Sequence, residues 1–218
     1  MSHGEFSGEP DAAWLTEDGT PDRRMRILSD FSFTDPDSRV WEARAGSVVD
    51  GASIPRALWT VVGSPYTGDY RRASIVHDIA CDEAGGNKSK RRKADRMFFH
   101  GCRAGGCSIW EATILYLGVR VGSSASRVQP WHAAVSIEKA GPRTRRTAEE
   151  RQLEKDFTQI ADHVLARGET DDPEELERRA DAAMAVVAGL RSTRSRAPAK
   201  RPRRARRRAP RRAVRASR

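Results

Sequence analysis

The sequence predicts an α+β fold that is mostly helical, with a small N-terminal β-hairpin or sheet packed on a three-helix core. Strand-like segments come first, at Met25–Phe33 and Arg39–Ala45, and the turn-forming residues 34–38 separate them. Segments with apolar residues at three- and four-residue spacing follow, which predicts helices at Tyr70–Ala84, Ser89–Cys102 and Ser108–Val121. An α-helical hairpin and a disordered basic tail complete the predicted architecture.

Composition divides the 218 residues into five segments. Residues 1–22 are rich in Gly, Pro, Ser and acidic residues and are expected to be flexible. Residues 23–124 hold most of the aromatic residues and all three Cys, so they form the predicted compact domain. We interpret residues 125–144 as a linker, 145–190 as the helical hairpin and 191–218 as the disordered Arg-rich tail.

Start and stop signals support the helical assignments. Gly85-Gly86-Asn87 ends the first helix, because these residues accept positive φ at low cost. In the hairpin, Asp172 is the cap of the second helix and Pro173 lies in its first turn. The hairpin has few large apolar residues, so we expect it to pack on the compact domain or on another chain. Through this hairpin we expect the protein to assemble into a virion or to associate with itself.

The net charge of +10 originates in the tail, where residues 191–218 hold fourteen basic residues and no acidic one. A segment of this charge density binds polyanions by counterion release, without sequence preference. The expected partner is therefore a nonspecific polyanion, either nucleic acid or anionic lipid. The alternative is a solvated tail that binds nothing specific.

Several classes of protein are disfavoured. No apolar run approaches the roughly 20 residues that a transmembrane helix needs. The first residues are acidic and show no signal peptide, and three cysteines cannot build a disulfide-dense framework. We expect a cytoplasmic protein, in a bacterial or phage-infected cell, or a virion component.

The residues with chemical potential cluster around His77-Asp78. Asp95 lies on the next predicted helix and reaches back towards His77 if the two helices pack antiparallel. An aspartate there would fix the imidazole tautomer and stabilise its protonated form. Such an oriented base activates a water or a nucleophile, and Asp78 could bind a metal beside it.

Simpler explanations remain open for the same residues. His77 can be a half-buried helix residue, Asp78 can be solvated, and Asp95 can bridge to Arg91, Arg92 or Arg96. A metal-dependent phosphohydrolase would need an upstream histidine, and the only one is His3, in the segment expected to be flexible. The cysteines lack paired C-x-x-C spacing, which favours small buried hydrophobic residues over a zinc site. The remaining histidines are interpreted as structural or exposed: His100, His132 and His163.

The residues around His77 belong to a longer pattern. It comprises Asp50-Gly51-Ala52-Ser53-Ile54-Pro55-Arg56-Ala57-Leu58-Trp59, Gly63-Ser64-Pro65-Tyr66-Thr67-Gly68, Ala73, His77-Asp78 and Ala94-Asp95-Arg96-Met97-Phe98. This pattern resembles a small-domain family of unknown function found in bacteria and tailed phages. The resemblance covers about residues 25–122 and implies no settled activity. Without it, Ser53 is interpreted as a helix cap and Trp59 as a core anchor.

A second resemblance concerns mechanism. Pro65, Ala73, His77-Asp78, Ala94-Asp95 and Phe98 resemble the core of the phospholipase A-two type, above all its short form in parvovirus capsids. The resemblance implies that His77 is the base, that Asp95 orients it and that Asp78 binds Ca²⁺. The ion would also need loop carbonyls, for which Gly63–Gly68 is the candidate, and Asp50 is a further candidate ligand. Cys81 departs from the tyrosine of the viral form.

Two functional hypotheses follow. The first is a His/Asp hydrolase, calcium-dependent and phospholipase-like, with His77 and Asp95 as catalytic residues. The second is a non-catalytic bacterial or phage protein, structural or associated with nucleic acid, in which the same side chains only hold the helices together. They differ in whether His77, Asp78 and Asp95 converge at an open pocket or in a closed, buried cluster.

Overall fold

The computed structural model describes residues 2–15, 24–51, 54, 58, 68–125 and 147–196. The strands are β1 (Glu5–Phe6), β2 (Ala12–Leu15), β3 (Arg24–Ile27), β4 (Phe31–Thr34), β5 (Val40–Ala43) and β6 (Val48–Val49). The helices are α1 (Arg71–Ala84), α2 (Lys88–Gly105), α3 (Ile109–Ala125), α4 (Ala148–Leu165) and α5 (Pro173–Arg196). The prediction of an α+β, mostly helical fold is confirmed.

The strands form two small antiparallel sheets, with orders β1-β4-β5 and β2-β3-β6. Alternate residues of β3, β4 and β5 are buried, because each strand turns one face towards the helices. Phe33 of β4 lies between Phe6 of β1 and Trp41 of β5. The sheets thereby provide an apolar surface on which α1 and α2 pack.

The N-terminal segment differs from its prediction. Residues 1–22 are expected to be flexible, whereas the structure places β1 and β2 within this range, paired with β4 and β3. The ring of Phe6 explains the anchoring of β1, since its centroid lies 5.7 Å from that of Phe31 and 4.7 Å from that of Phe33. A single aromatic side chain thus outweighs the polar composition on which the expectation depends.

The segment Met25–Phe33 also differs, because it divides into β3 and β4, which belong to different sheets. The break falls at residues 28–30, where Oδ1 of Asp30 accepts a hydrogen bond from the Ala45 amide at 2.8 Å. The predicted turn at residues 34–38 is present. Oδ1 of Asp35 accepts from the amides of Asp37 and Arg39, both at 3.0 Å.

Helices α1 and α2 lie antiparallel and very close together. Gly101 makes this approach feasible, because a Cβ atom added there would lie 2.8 Å from the Cβ of Ala73. The connection between them is tight: Gly85 has φ 50°, and the Asn87 side chain accepts from the Lys90 amide at 3.0 Å and caps α2. This pairing sets the distance between functional side chains on the two helices.

The hairpin α4–α5 packs on the compact domain. Its buried residues, including Phe157 and Leu176, join the apolar cluster of α3. Arginines of α2 fasten α5 through ion pairs: Arg92 lies 2.6 Å from Glu177, and Arg96 lies 2.9 Å from the same carboxylate. The apolar face of the hairpin is therefore used within this chain.

Helix α5 continues to Arg196, six residues into the segment predicted to be a disordered tail. Arg191 contributes there, because its guanidinium lies 2.9 Å from Asp156 of α4. Residues 126–146 and 197–218, which carry most of the predicted linker and tail, lie outside the described residues. Within the described part of the chain, none of the helices combines the length and apolar character needed to cross a membrane.

We predict that Gly101→Ala and Gly189→Ala change stability in opposite directions. The added methyl group at 101 meets Ala73 and should lower the free energy of unfolding by about 1–3 kcal/mol. No atom lies within 4 Å of the corresponding position at 189 in α5, where alanine should add about 0.5–1 kcal/mol through helix propensity. Denaturant unfolding of both variants measures this. Equal stabilisation by the two substitutions would contradict the close helix contact.

Candidate functional site

The predicted meeting of His77 and Asp95 is present in the structure. Nε2 of His77 on α1 donates to Oδ1 of Asp95 on α2 at 3.0 Å, and both side chains are 0% exposed. The ring of Phe98 covers the imidazole, with centroids 4.8 Å apart. The antiparallel helices thus hold the two polar side chains in one arrangement, sealed by an aromatic ring.

Cys81, one turn after His77, completes a compact group. Its Sγ lies 3.4 Å from Nε2 and 3.8 Å from Nδ1 of the imidazole. One ligand atom each from His77, Cys81 and Asp95 lies within 4.8 Å of the others, so these buried side chains could hold a metal ion. The residue that departs from the viral phospholipase pattern is therefore in direct contact with the candidate base.

Asp95 has a second cationic partner that the sequence does not reveal. Nη1 of Arg120 on α3 lies 3.5 Å from Oδ2 of Asp95, and Nη2 lies 2.5 Å from Asp181 of α5. The arginines proposed as alternative partners of Asp95 are engaged elsewhere. Arg92 and Arg96 pair with α5, and Arg91 donates to Ser123. The sequence does not identify Arg120 as a partner of Asp95, because this arginine follows the most apolar stretch of the chain.

The protonation of His77 depends on its neighbours. Burial alone lowers its pKa, but Cys81 and Asp95 outweigh this effect and raise the pKa to about 10. The contacts with Cys81 and Asp95 therefore favour the protonated form of the imidazole. In that form the imidazole is the cation of a buried ion pair, whereas a general base needs the neutral form.

Asp78 is buried next to His77 and faces the Asp50 turn. The side chain is 7% exposed, and its Oδ2 accepts a hydrogen bond from the Asp50 amide at 3.2 Å. Burial, and next the nearby Asp50 carboxylate, raise the pKa of Asp78 to about 8. The structure thus brings the two candidate metal ligands together, in surroundings that disfavour two negative charges.

The loop candidate for further metal ligands is only partly described. Of Gly63–Gly68, Gly68 alone belongs to the described residues, and Ser53 and Trp59 also lie outside them. Ile54 and Leu58 are both 0% exposed. Ile54 approaches Gly118 of α3, where an added Cβ would lie 3.5 Å from it. Ile54 therefore packs against α3, the helix that carries Arg120.

A second group of polar side chains, formed by His3, His100 and Asp171, is not predicted from the sequence. His3 Nε2 lies 3.0 Å from Asp171 Oδ2, and His3 Nδ1 lies 3.2 Å from Nδ1 of His100. Sequence reasoning placed His3 in a flexible segment and interpreted His100 as structural or exposed. Their meeting requires β1 to lie against α2, and no local pattern predicts that contact.

Two relatives come from Sinorhizobium fredii, and both are described as uncharacterized proteins. The chain is 38% identical to y4jT over 119 residues, which are 53% of this chain and 33% of y4jT. It is 32% identical to y4iH over 93 residues, which are 43% of this chain and 38% of y4iH. The chain thus spans 33% of the length of y4jT and 38% of the length of y4iH. No solved structure matches it.

The family comparison concerns the part of the chain that carries the site. The matched segment begins within β3 and ends within α3, so it includes both helices of the His77–Asp95 pair. The resemblance to a small-domain family of unknown function is confirmed: residues 25–119 match the family model described as a protein of unknown function, DUF1353.

Proposed function

We propose that the domain is a cation-dependent hydrolase in which His77 is the base, Asp95 positions it, and Asp78 and Asp50 bind the cation. The observation that carries the proposal is the 3.0 Å contact between His77 Nε2 and Asp95 Oδ1, directly beside a buried carboxylate. A base oriented by a third group is the recurring requirement for activating water. The resemblance to the phospholipase A-two core makes carboxylic esters of phospholipids the first substrate class to test.

The contacts of His77 assign a task to each ring nitrogen. Because Nε2 is engaged by Asp95, Nδ1 is the nitrogen that would take a proton from water. Asp95 favours the tautomer with hydrogen on Nε2 and would stabilise the imidazolium formed in the reaction. Arg120, 3.5 Å from Asp95, restrains the carboxylate from the other side.

The donor set at Asp78 fits a hard divalent cation. Ca²⁺ takes about 6–8 oxygen ligands, among them carboxylates and backbone carbonyls. Asp78 and Asp50 supply two carboxylates that repel each other, and a cation would relieve that repulsion. When bound, the ion would polarise the substrate carbonyl. Positive charge beside His77 would also lower the pKa of the imidazole and favour its neutral form, which a base requires.

A second function is favoured by a different observation. His77 and Asp95 are fully buried, which is the closed arrangement expected of a non-catalytic core. In that case, protonated His77, Asp95 and Arg120 form a charge cluster that fastens α1, α2 and α3 to one another. The domain would then be a structural or nucleic-acid-associated module, and the chemistry of a base would have no role in it.

We predict hydrolysis of phospholipid vesicles or of simpler esters by the full chain with Ca²⁺, Mg²⁺ or Zn²⁺. His77→Gln should lower the rate by at least about 100-fold, because a general base contributes a factor of this order. Asp95→Asn should also lower the rate, through loss of imidazole orientation. Glu83→Gln, on the exposed side of the same helix, is the matched control and should leave the rate unchanged. Release of fatty acid or alcohol measures the reaction.

The same assay separates the two functions. A wild-type protein that is inactive on phospholipids, other esters and phosphoesters with each cation would support the non-catalytic core. Activity that survives His77→Gln would locate any hydrolysis outside this site. Circular dichroism and the thermal midpoint of each variant establish that a lost rate is not a lost fold.

For the segment after α5, we propose binding to nucleic acid or anionic lipid. Residues 197–218 contain eleven basic residues and no acidic one. Binding of such a segment releases counterions, so its affinity falls steeply with salt and shows little sequence preference. On a lipid surface this attraction would bring the domain to its expected substrate.

Deletion of residues 197–218 should remove most of the affinity for duplex DNA and anionic vesicles at low salt. It should leave the thermal midpoint almost unchanged, because the ion pair of Arg191 with Asp156 is retained. Fluorescence anisotropy and vesicle sedimentation at two salt concentrations measure the effect. Equal affinity of the truncated and full-length chains would show that the tail is a solvated segment.

A further inference from the structure

A second polar site lies at the junction of β1, α2 and the loop before α5. It adjoins a cavity of about 580 Å³, whose lining includes His3, Glu5, His100 and Asp171. The site shares no residue with the His77 cluster. Its residues come from three parts of the chain that are distant in sequence. None of them takes part in the proposed hydrolase chemistry.

The hydrogen bonds of His3 prepare one of its nitrogens for a ligand. Nε2 donates to Oδ2 of Asp171 at 3.0 Å, and Arg103 holds that carboxylate through both of its oxygens, at 2.7 and 3.2 Å. Nδ1 of His3 therefore carries the lone pair of the neutral imidazole. Metal-binding histidines typically donate their other N–H to a carboxylate in this way.

His100 supplies the second nitrogen. Its Nδ1 lies 3.2 Å from Nδ1 of His3, so the two atoms must share either a proton or a cation. Two nitrogens bound to one tetrahedral Zn²⁺ at about 2.05 Å each are about 3.3 Å apart. The observed separation of 3.2 Å matches this distance.

We propose that His3 Nδ1 and His100 Nδ1 bind a divalent transition-metal ion of the zinc class, with Asp171 as the positioning residue for His3. Imidazole ligands favour Zn²⁺ over Ca²⁺ or Mg²⁺. Water from the cavity that adjoins both histidines would complete the coordination. An open cavity at the metal leaves a position for an anionic or carbonyl ligand. The ion would also fasten β1 to α2.

The test is titration of Zn²⁺ into the full chain by calorimetry. We expect His100→Ala and His3→Ala each to weaken binding at least tenfold. Asp171→Asn should weaken it about tenfold, since loss of such supporting carboxylates typically costs 10–100-fold in affinity. His163→Ala, on an exposed part of α4, is the matched control and should bind as the wild type does. His100→Gln, which keeps the size and a donor, guards against a folding defect in the alanine variant.

Cobalt substitution identifies which cluster holds the ion. A site of imidazole and oxygen ligands gives Co²⁺ spectra without the intense sulfur-to-cobalt charge-transfer band of a thiolate ligand. The proposal is overturned if the wild type binds no Zn²⁺, or if His3→Ala and His100→Ala bind it unchanged. It is also overturned if a thiolate band appears and only Cys81→Ala abolishes binding, which would place the ion beside His77.

Discussion

The close contact of α1 with α2 is the constraint on which the rest of the structure depends. The absence of a side chain at Gly101 lets the helices meet at Ala73, and the same approach brings His77 to Asp95. The apolar faces of both helices are then available to the two sheets and to α3. Fold and candidate site therefore have one origin, and a change that separates the helices should affect both.

The charges enclosed by this contact work against stability unless they are fully paired. Buried ion pairs recover their desolvation cost only with good geometry and further hydrogen bonds. His77 and Asp95 meet that condition in part: one hydrogen bond of 3.0 Å joins them, whereas Oδ2 of Asp95 has no hydrogen-bond partner and lies 3.5 Å from the guanidinium of Arg120. Asp78 is less well paired still, because its neighbour is another carboxylate, Asp50, and burial favours its neutral form. The proposed cation site rests on this pair of neighbouring carboxylates, whereas the His77–Asp95 pair alone is compatible with a structural core.

The helices, and the approach of Asp95 to His77, could be predicted because both depend on local signals: apolar spacing, the Gly85-Gly86-Asn87 stop and small residues on facing helices. The contacts that could not be predicted are those between distant segments. Arg120 reaches Asp95, and His3 reaches His100, only because α3 and β1 are brought to α2 by packing. The composition of residues 1–22 predicts flexibility, and the structure differs for the same reason. The ring of Phe6 packs this polar segment into the core.

The most direct test of the ligand-binding role is the unfolding free energy of Asp78→Asn and wild type across pH, first with a chelator and then with Ca²⁺. The raised pKa of Asp78 means that its contribution to stability is largest below about pH 4 and is lost as pH rises towards about 8. Asparagine still accepts from the Asp50 amide but never ionises. The variant should therefore gain on the wild type over this range, and only the wild type should be stabilised by Ca²⁺. A variant that is less stable at every pH, with an equal response to Ca²⁺, would contradict the account.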